Sequence, residues 1–216
     1  MRAFWIWTNV AMMTAACAAA ELKPVALLTE ETIDDWEAVD AGGSGETEWL
    51  PDSNVFVIHM GEMLSGAVYQ KAADLPLTHY EVTLEAKRMR GVDFFCGLTF
   101  PVGNLETCAT LVLGGWGGSV TGLSCIDGLD AANNATGTFQ RYEDDVWYAV
   151  KLRVTPENIS MWLGEKKLID QDIAGRKVGI REGGMESYVP FSLTTYNTTG
   201  AFRNLVVTPL PEKKAE

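Results

Sequence analysis

The sequence predicts an all-β chain folded as an antiparallel, jelly-roll-like β-sandwich, and three observations carry that prediction. From Tyr80 to Arg88 the residues alternate, with Tyr80, Val82, Leu84 and Ala86 on one face and Glu81, Thr83, Glu85 and Lys87 on the other. A repeat of two is the signature of a strand with one buried face. From Val146 to Thr155 the pattern recurs, with Tyr148, Val150, Leu152 and Val154 together. Finally, about twelve short β-type runs follow one another, separated by Gly, Pro, Asn and Asp, as expected of a sandwich or barrel. No repeat period of the kind that marks a propeller or solenoid is visible.

Taken in order, residues 1–20 read as a targeting segment. Arg2 precedes an uncharged run from Ala3 to Ala20 that ends Ala18-Ala19-Ala20 before Glu21. That is the layout of a secretory signal, and it predicts a secreted or periplasmic protein with no transmembrane segment after cleavage. Two alternatives stay open: a lipid anchor at Cys17, and a retained membrane anchor. Residues 21–50 read as an N-terminal extension, in which Glu30 to Asp40 could form a short helix with Ile33 and Trp36 on one side. Residues 51–210 are the sandwich domain. Its strands are expected at Val55–His59, Ala67–Gln70, Tyr80–Arg88, Asp93–Phe100, Thr107–Gly114 and Ser119–Ile126. Further strands follow at Val146–Thr155, Ile159–Leu163, Lys167–Ile169, Lys177–Ile180, Val189–Tyr196 and Ala201–Leu210. Residues 211–216 are a charged tail.

A length of 216 residues suits one domain. The net charge of −12 argues against a nucleic-acid partner, which requires a basic footprint. Cleavage after Ala20 leaves Cys96, Cys108 and Cys125, an odd set that cannot pair completely within one chain. If a hairpin is centred between Trp116 and Gly117, Cys108 and Cys125 face each other, and a cross-strand disulfide is conceivable. Free buried thiols are the alternative.

The most informative stretch runs from Leu111 to Asn134. It reads as a strand, a four-glycine turn around Trp116, a returning strand and a loop rich in Asp and Asn. A tryptophan among glycines has little side-chain material to cover it. It either folds back on the sheet or presents an indole face beside Asp127, Asp130, Asn133 and Asn134. Sugars suit the second arrangement, because their apolar faces stack on indole while their hydroxyls need hydrogen-bond partners. Asp127 and Asp130, with nearby carbonyls, could hold a hard divalent cation such as calcium. The same two carboxylates read equally well as turn formers. His59, at a strand end, is a candidate acid–base group. Lys87, Arg181 and Arg203, on expected strands, could bind hydroxyls or polarise a carbonyl. Phosphate loops, dinucleotide fingerprints, HExxH and G-x-S-x-G are absent.

Several segments resemble one family. WYAVKLRVTPENISMWLGEKKLI (Trp147–Ile169) is similar to a strand–turn–strand of concanavalin A-like lectin/glucanase sandwiches. DFFCGLTFPVG (Asp93–Gly103), GGWGG (Gly114–Gly118), GLSCIDGLDAANNAT (Gly122–Thr136), GRKVGIR (Gly175–Arg181) and TTGAFRNLVVTPL (Thr198–Leu210) resemble secreted members of the 3-keto-disaccharide hydrolase domain family. The resemblance covers residues 50–210. It implies a concave sugar-facing sheet and cleavage of 3-keto-glycosides by elimination and then hydration. A base would remove the C2 proton while a cation or donor holds the C3 oxygen. On this reading the partner is a glycan or small sugar. Asp127, Asp130 and His59 would do acid–base work, and Lys87, Arg181, Arg203 and Asn133 would bind the ketone or hydroxyls. Trp116 and Tyr196 would stack. A non-catalytic carbohydrate-binding module and a structural envelope domain remain alternatives. The family's Asn-Ser-Gly strand followed by an arginine is replaced here by DFFCGLTF.

Overall fold

The computed structural model describes residues 23–211, so residues 1–20, expected to be a targeting segment, Cys17 within them and residues 212–216 lie outside the described residues. Among the described residues fifteen strands follow in order: β1 (Val25–Ala26), β2 (Trp36–Ala38), β3 (Thr47–Leu50), β4 (Val55–Ile58), β5 (Leu64–Tyr69), β6 (Tyr80–Gly91), β7 (Cys96–Pro101), β8 (Cys108–Gly114), β9 (Val120–Ser124), β10 (Thr138–Phe139), β11 (Tyr148–Val154), β12 (Asn158–Leu163), β13 (Lys166–Asp172), β14 (Ser192–Tyr196) and β15 (Thr198–Pro209). They form two antiparallel sheets. The first has the order β13-β12-β11-β6-β15-β4-β3, with β1 also on β15, and the second the order β10-β9-β8-β7-β14-β5-β2. The chain is a two-layer β-sandwich, as the alternation predicts.

The pleat explains which side chains fill the middle. Tyr80, Val82, Leu84 and Ala86 of β6 are all buried, whereas Glu81, Thr83, Glu85 and Lys87 face outward. Across the interior, Leu98 and Phe100 of β7, Leu111 and Leu113 of β8, Leu123 of β9 and Leu193 of β14 belong to the same core cluster. Each fully buried Leu or Phe contributes roughly 1.5–3 kcal/mol of transfer free energy. Tyr80 is fully buried and its hydroxyl donates to the Pro101 carbonyl, tying the sheets at one end. Burial pushes the Tyr80 phenol well above its ordinary range.

Several expectations are corrected. The segment expected to form a helix is a single 3-10 turn at Ile33–Asp35 followed by β2. Trp36 pairs with Tyr69, packs against Phe56 and Phe191, and donates its indole N–H to the Leu27 carbonyl at 2.7 Å. These long-range contacts outweigh the local spacing of Ile33 and Trp36. Within residues 21–50, β1 and β3 pair with β15 and β4 of the first sheet, and β2 with β5 of the second, so this segment is woven into both layers. Lys177–Ile180 is not a strand; it contributes one bridge, Ile126 to Val178. Of the two alternatives for the cysteines, the structure shows free buried thiols and not the Cys108–Cys125 disulfide. Thr110 faces Ser124 and Leu111 faces Leu123, one residue off the symmetric hairpin, and a slip of one residue reverses every facing side chain. Cys96, Cys108 and Cys125 are free and buried, and burial pushes the Cys96 thiol up to about 12.

Candidate functional site

The outer face of the second sheet is built from small side chains. Thr110 and Val112 of β8, Ser124 of β9, Thr99 of β7 and Ser192 and Thr194 of β14 are buried, with Gly66 and Gly97 between them. A Cβ on Gly97 would sit 2.2 Å from Thr194 Oγ1, and one on Gly66 would sit 2.4 Å from the Leu193 carbonyl oxygen. Larger residues at those two positions would displace the neighbouring strand. Tyr188, Met185 and Val68 pack over one end of this face with Val39, Leu64 and Ile180. The remainder opens into a cavity of about 680 Å³, whose walls include Thr110, Val112, Ser124, Trp116, Arg181 and Tyr196.

Backbone conformation puts Trp116 there. Gly114, Gly117 and Gly118 have φ of 74°, 84° and 98°, and Trp116 itself has φ 50°. Glycine adopts such angles without penalty. For tryptophan the left-handed region costs of order 1–2 kcal/mol, so the turn holds this indole in place against a local preference. Asp93 fastens the turn from the opposite chain segment. Its Oδ2 accepts the Gly117 N–H at 2.9 Å and its Oδ1 accepts the Phe94 N–H at 2.8 Å. The outcome is an indole that is 37% exposed at the cavity wall.

Arg181 lies over this ring, its guanidinium carbon 5.7 Å from the centroid. Behind it stands Asp130, 3.9 Å from an Arg181 nitrogen. Asp130 in turn accepts from the Asn133 amide at 2.7 Å and from the Ala132 N–H at 3.2 Å. Opposite, Tyr196 stacks on Phe94 with centroids 5.9 Å apart. The loop after Arg181 is closed by Glu186, whose two carboxylate oxygens accept the Gly183 and Gly184 N–H groups at 2.7 Å each. Those backbone donors hold the Glu186 carboxyl below the usual carboxylate range.

The structure therefore brings together Trp116, Arg181 and Tyr196, with Asp130 and Asn133 one step behind. Asp127 is on the flank of this group and engaged elsewhere: Oδ2 accepts from Arg176 at 2.7 Å and Oδ1 from the Lys177 N–H at 2.8 Å. The Lys177 amide, aided by Arg176, lowers the Asp127 pKa. A cation at Asp127 and Asp130 would have to displace these donors, and among the described residues no group of three or more His, Cys, Asp or Glu converges as metal ligands would. The remaining three residues lie on the outer face of the other sheet. Lys87 and Arg203 sit over Trp147, 5.1 and 4.2 Å from its ring, and Arg203 is paired with Glu85 at 2.9 Å. His59 Nε2 meets Glu48 at 2.9 Å. The hydrophobic core separates them from the cavity.

Sequence reasoning missed Asp93, Phe94, Met63, Glu182 and Met185, which also line the cavity. The Gly183-Gly184 pair after Glu182 signals a loop. Nothing in the sequence alone indicates that it folds over β8 and β9.

No family model and no curated protein matches the chain. Solved structures do. A transglycosylase, Crh5, in complex with NAG superposes with a TM-score of 0.58 at 9% identity, covering 90% of this chain and 86% of that one. The Bacillus licheniformis β-glucanase gives 0.55 at 8% identity, over 89% of this chain and 100% of that one. The carbohydrate-binding module CBM66 of Bacillus subtilis gives 0.53 at 11% identity, over 81% and 95%. At this level of identity the shared feature is the concanavalin A-like sandwich. Among the described residues no helix is long and apolar enough to cross a membrane.

Proposed function

We propose that this chain is an exported carbohydrate-binding domain whose site is the cavity on the outer face of the second sheet. One observation carries the reading: Trp116 is held at the cavity wall by a left-handed glycine turn, above a floor that includes the hydroxyl residues Thr110 and Ser124. Indole offers a flat apolar surface for a sugar face, and hydroxyls, Arg181 and backbone groups match its polar edge. A volume of about 680 Å³ falls in the ordinary range for small-ligand sites. The sandwich shared with a carbohydrate-binding module and a glucanase supports the reading by analogy of fold. The leader-like residues 1–20 support export to the periplasm or medium. Calorimetric titration of the full chain with neutral oligosaccharides tests it. Binding that falls about tenfold in Trp116→Ala is expected. If none of the glycans binds, or the variant binds as well as the parent, the proposal is wrong.

A second reading is cleavage of 3-keto-glycosides, as the resemblance to the 3-keto-disaccharide hydrolase family implies. Glu182 favours it. This exposed carboxylate has no hydrogen-bond or ion-pair partner among the described residues and lines the cavity next to Arg181. The elimination needs that combination. Glu182 would take the C2 proton, and Arg181 would hold the C3 oxygen as enolate charge develops. The C2 electron pair would form the C1–C2 double bond as the C1–oxygen bond breaks. The departing alkoxide takes a proton, and water then adds across the double bond. Release of aglycone from a 3-keto-glycoside, lost in Glu182→Gln with sugar affinity retained, is the expected result. No release by the parent protein removes catalysis and leaves the binding domain.

A further inference from the structure

A second depression, of about 520 Å³, lies on the other side of the Trp116 turn. Consecutive residues line different hollows: Asp93 and Trp116 face the first, while Val92 and Gly117 face the second. The two are therefore neighbours across one ridge of backbone. At Gly117 that ridge carries no side chain, and a Cβ built there would meet nothing within 4 Å. The second hollow displays Phe139 and Val92, which are 82% and 71% exposed, the highest values among the large hydrophobic residues described. Beside Phe139 come Gln140 and Arg141, whose side chains have no hydrogen-bond or ion-pair partner among the described residues.

An exposed ring next to an uncommitted amide and guanidinium repeats the chemistry of the first hollow. A protein with a net charge of −12 does not favour a polyanion in either one. We propose that the two hollows are one extended site for a linear, neutral oligosaccharide that passes over the bare backbone at Gly117. Phe139 stacks one sugar ring, and Gln140 and Arg141 hydrogen-bond its hydroxyls. This rests on the carbohydrate-binding reading of the first cavity and adds to it that the ligand is the interior of a chain rather than a single sugar. The occupant is a polysaccharide segment because alternating apolar and polar contacts at spaced positions match repeating pyranose rings.

The test is titration of the full chain with cello-, laminari- and malto-oligosaccharides, from disaccharide to hexasaccharide. For the matching series, affinity rises from the short to the long members. Phe139→Ala cancels most of that rise, a loss of about five- to tenfold on the hexasaccharide, and leaves disaccharide affinity unchanged. Arg141→Ala does the same to a smaller extent, and Phe139→Tyr retains the rise. Both residues are exposed, so an unchanged melting temperature confirms that the variants fold. Affinity that is flat with length, while the disaccharide still binds and Trp116→Ala weakens it, overturns the extension and leaves the first cavity standing. Equal losses on disaccharide and hexasaccharide in Phe139→Ala overturn it as well. Failure of every oligosaccharide to bind overturns both.

Discussion

The two outer faces of the sandwich use tryptophan in opposite ways. On the first sheet, Trp162 is surrounded by Lys151, Arg153 and Lys167, and Trp147 by Lys87 and Arg203. Register produces this: Lys151 and Lys167 are cross-strand partners of Trp162 on β11 and β13. The cations already stack on both indoles, and Trp147 also packs on Val55, Val57 and Ala201. On the second sheet, Trp116 has no cross-strand neighbour at its level. It stands on a turn, with one cation, Arg181, over its ring at 5.7 Å and a cavity in front. Two or three cations cover each indole of the first sheet's face, whereas Trp116 carries one and lines a cavity.

Exchanging indoles for smaller residues breaks this comparison most directly. Trp147→Ala uncovers Val55, Val57 and Ala201 and removes two cation–π contacts, so thermal unfolding should show a loss of about 2–4 kcal/mol with glycan affinity intact. A loss as small as that of a surface substitution would mean that Trp147 is not a structural cap. Trp116→Gly should behave in the reverse sense. Glycine relieves the left-handed backbone at φ 50°, which should raise stability by about 0.5–1 kcal/mol while sugar binding disappears. Destabilisation instead would show that the indole is a packing element.

Acid sharpens the comparison with a smaller effect. Glu186 on the cavity side and Glu85 on the opposite face both have carboxyl pKa values held below normal, Glu186 by backbone donors and Glu85 chiefly by Arg203. A depressed pKa stabilises the folded state above the unfolded value near ~4, and the contribution is lost as pH falls through the folded value. Both faces should therefore weaken below about pH 4, and neither should change between about pH 6 and 8. Glu186→Gln should lessen the acid sensitivity of glycan binding, whereas Glu85→Gln should lessen only that of stability. Identical binding profiles for the two variants would remove Glu186 from the cavity loop.

Fold class was readable because β6 and β11 each bury one face, and the alternation that results is local. Trp36 shows where local reading ends. Its spacing from Ile33 fits a helix, yet its partners Phe56, Tyr69 and Phe191 are distant in sequence. The site was legible by half. Trp116 stood out through its glycines, but nearness in sequence pointed to Asp127, which is held by Arg176. The true neighbours of Trp116 arrive from residues 93–94 and 181–185, brought over by loops whose paths no periodicity records. Lys87 and Arg203 sit on strands as expected, but on the face turned away from the cavity.

Strand order also places β14 and β15 inside the two layers. In the first sheet β15 lies between β6 and β4 and carries β1 as well. In the second, β14 lies between β7 and β5. Each layer takes an interior member from residues 192–209, and without those residues each layer would be split into two pieces with open edges. Docking of this one consecutive pair of strands therefore completes both layers at once.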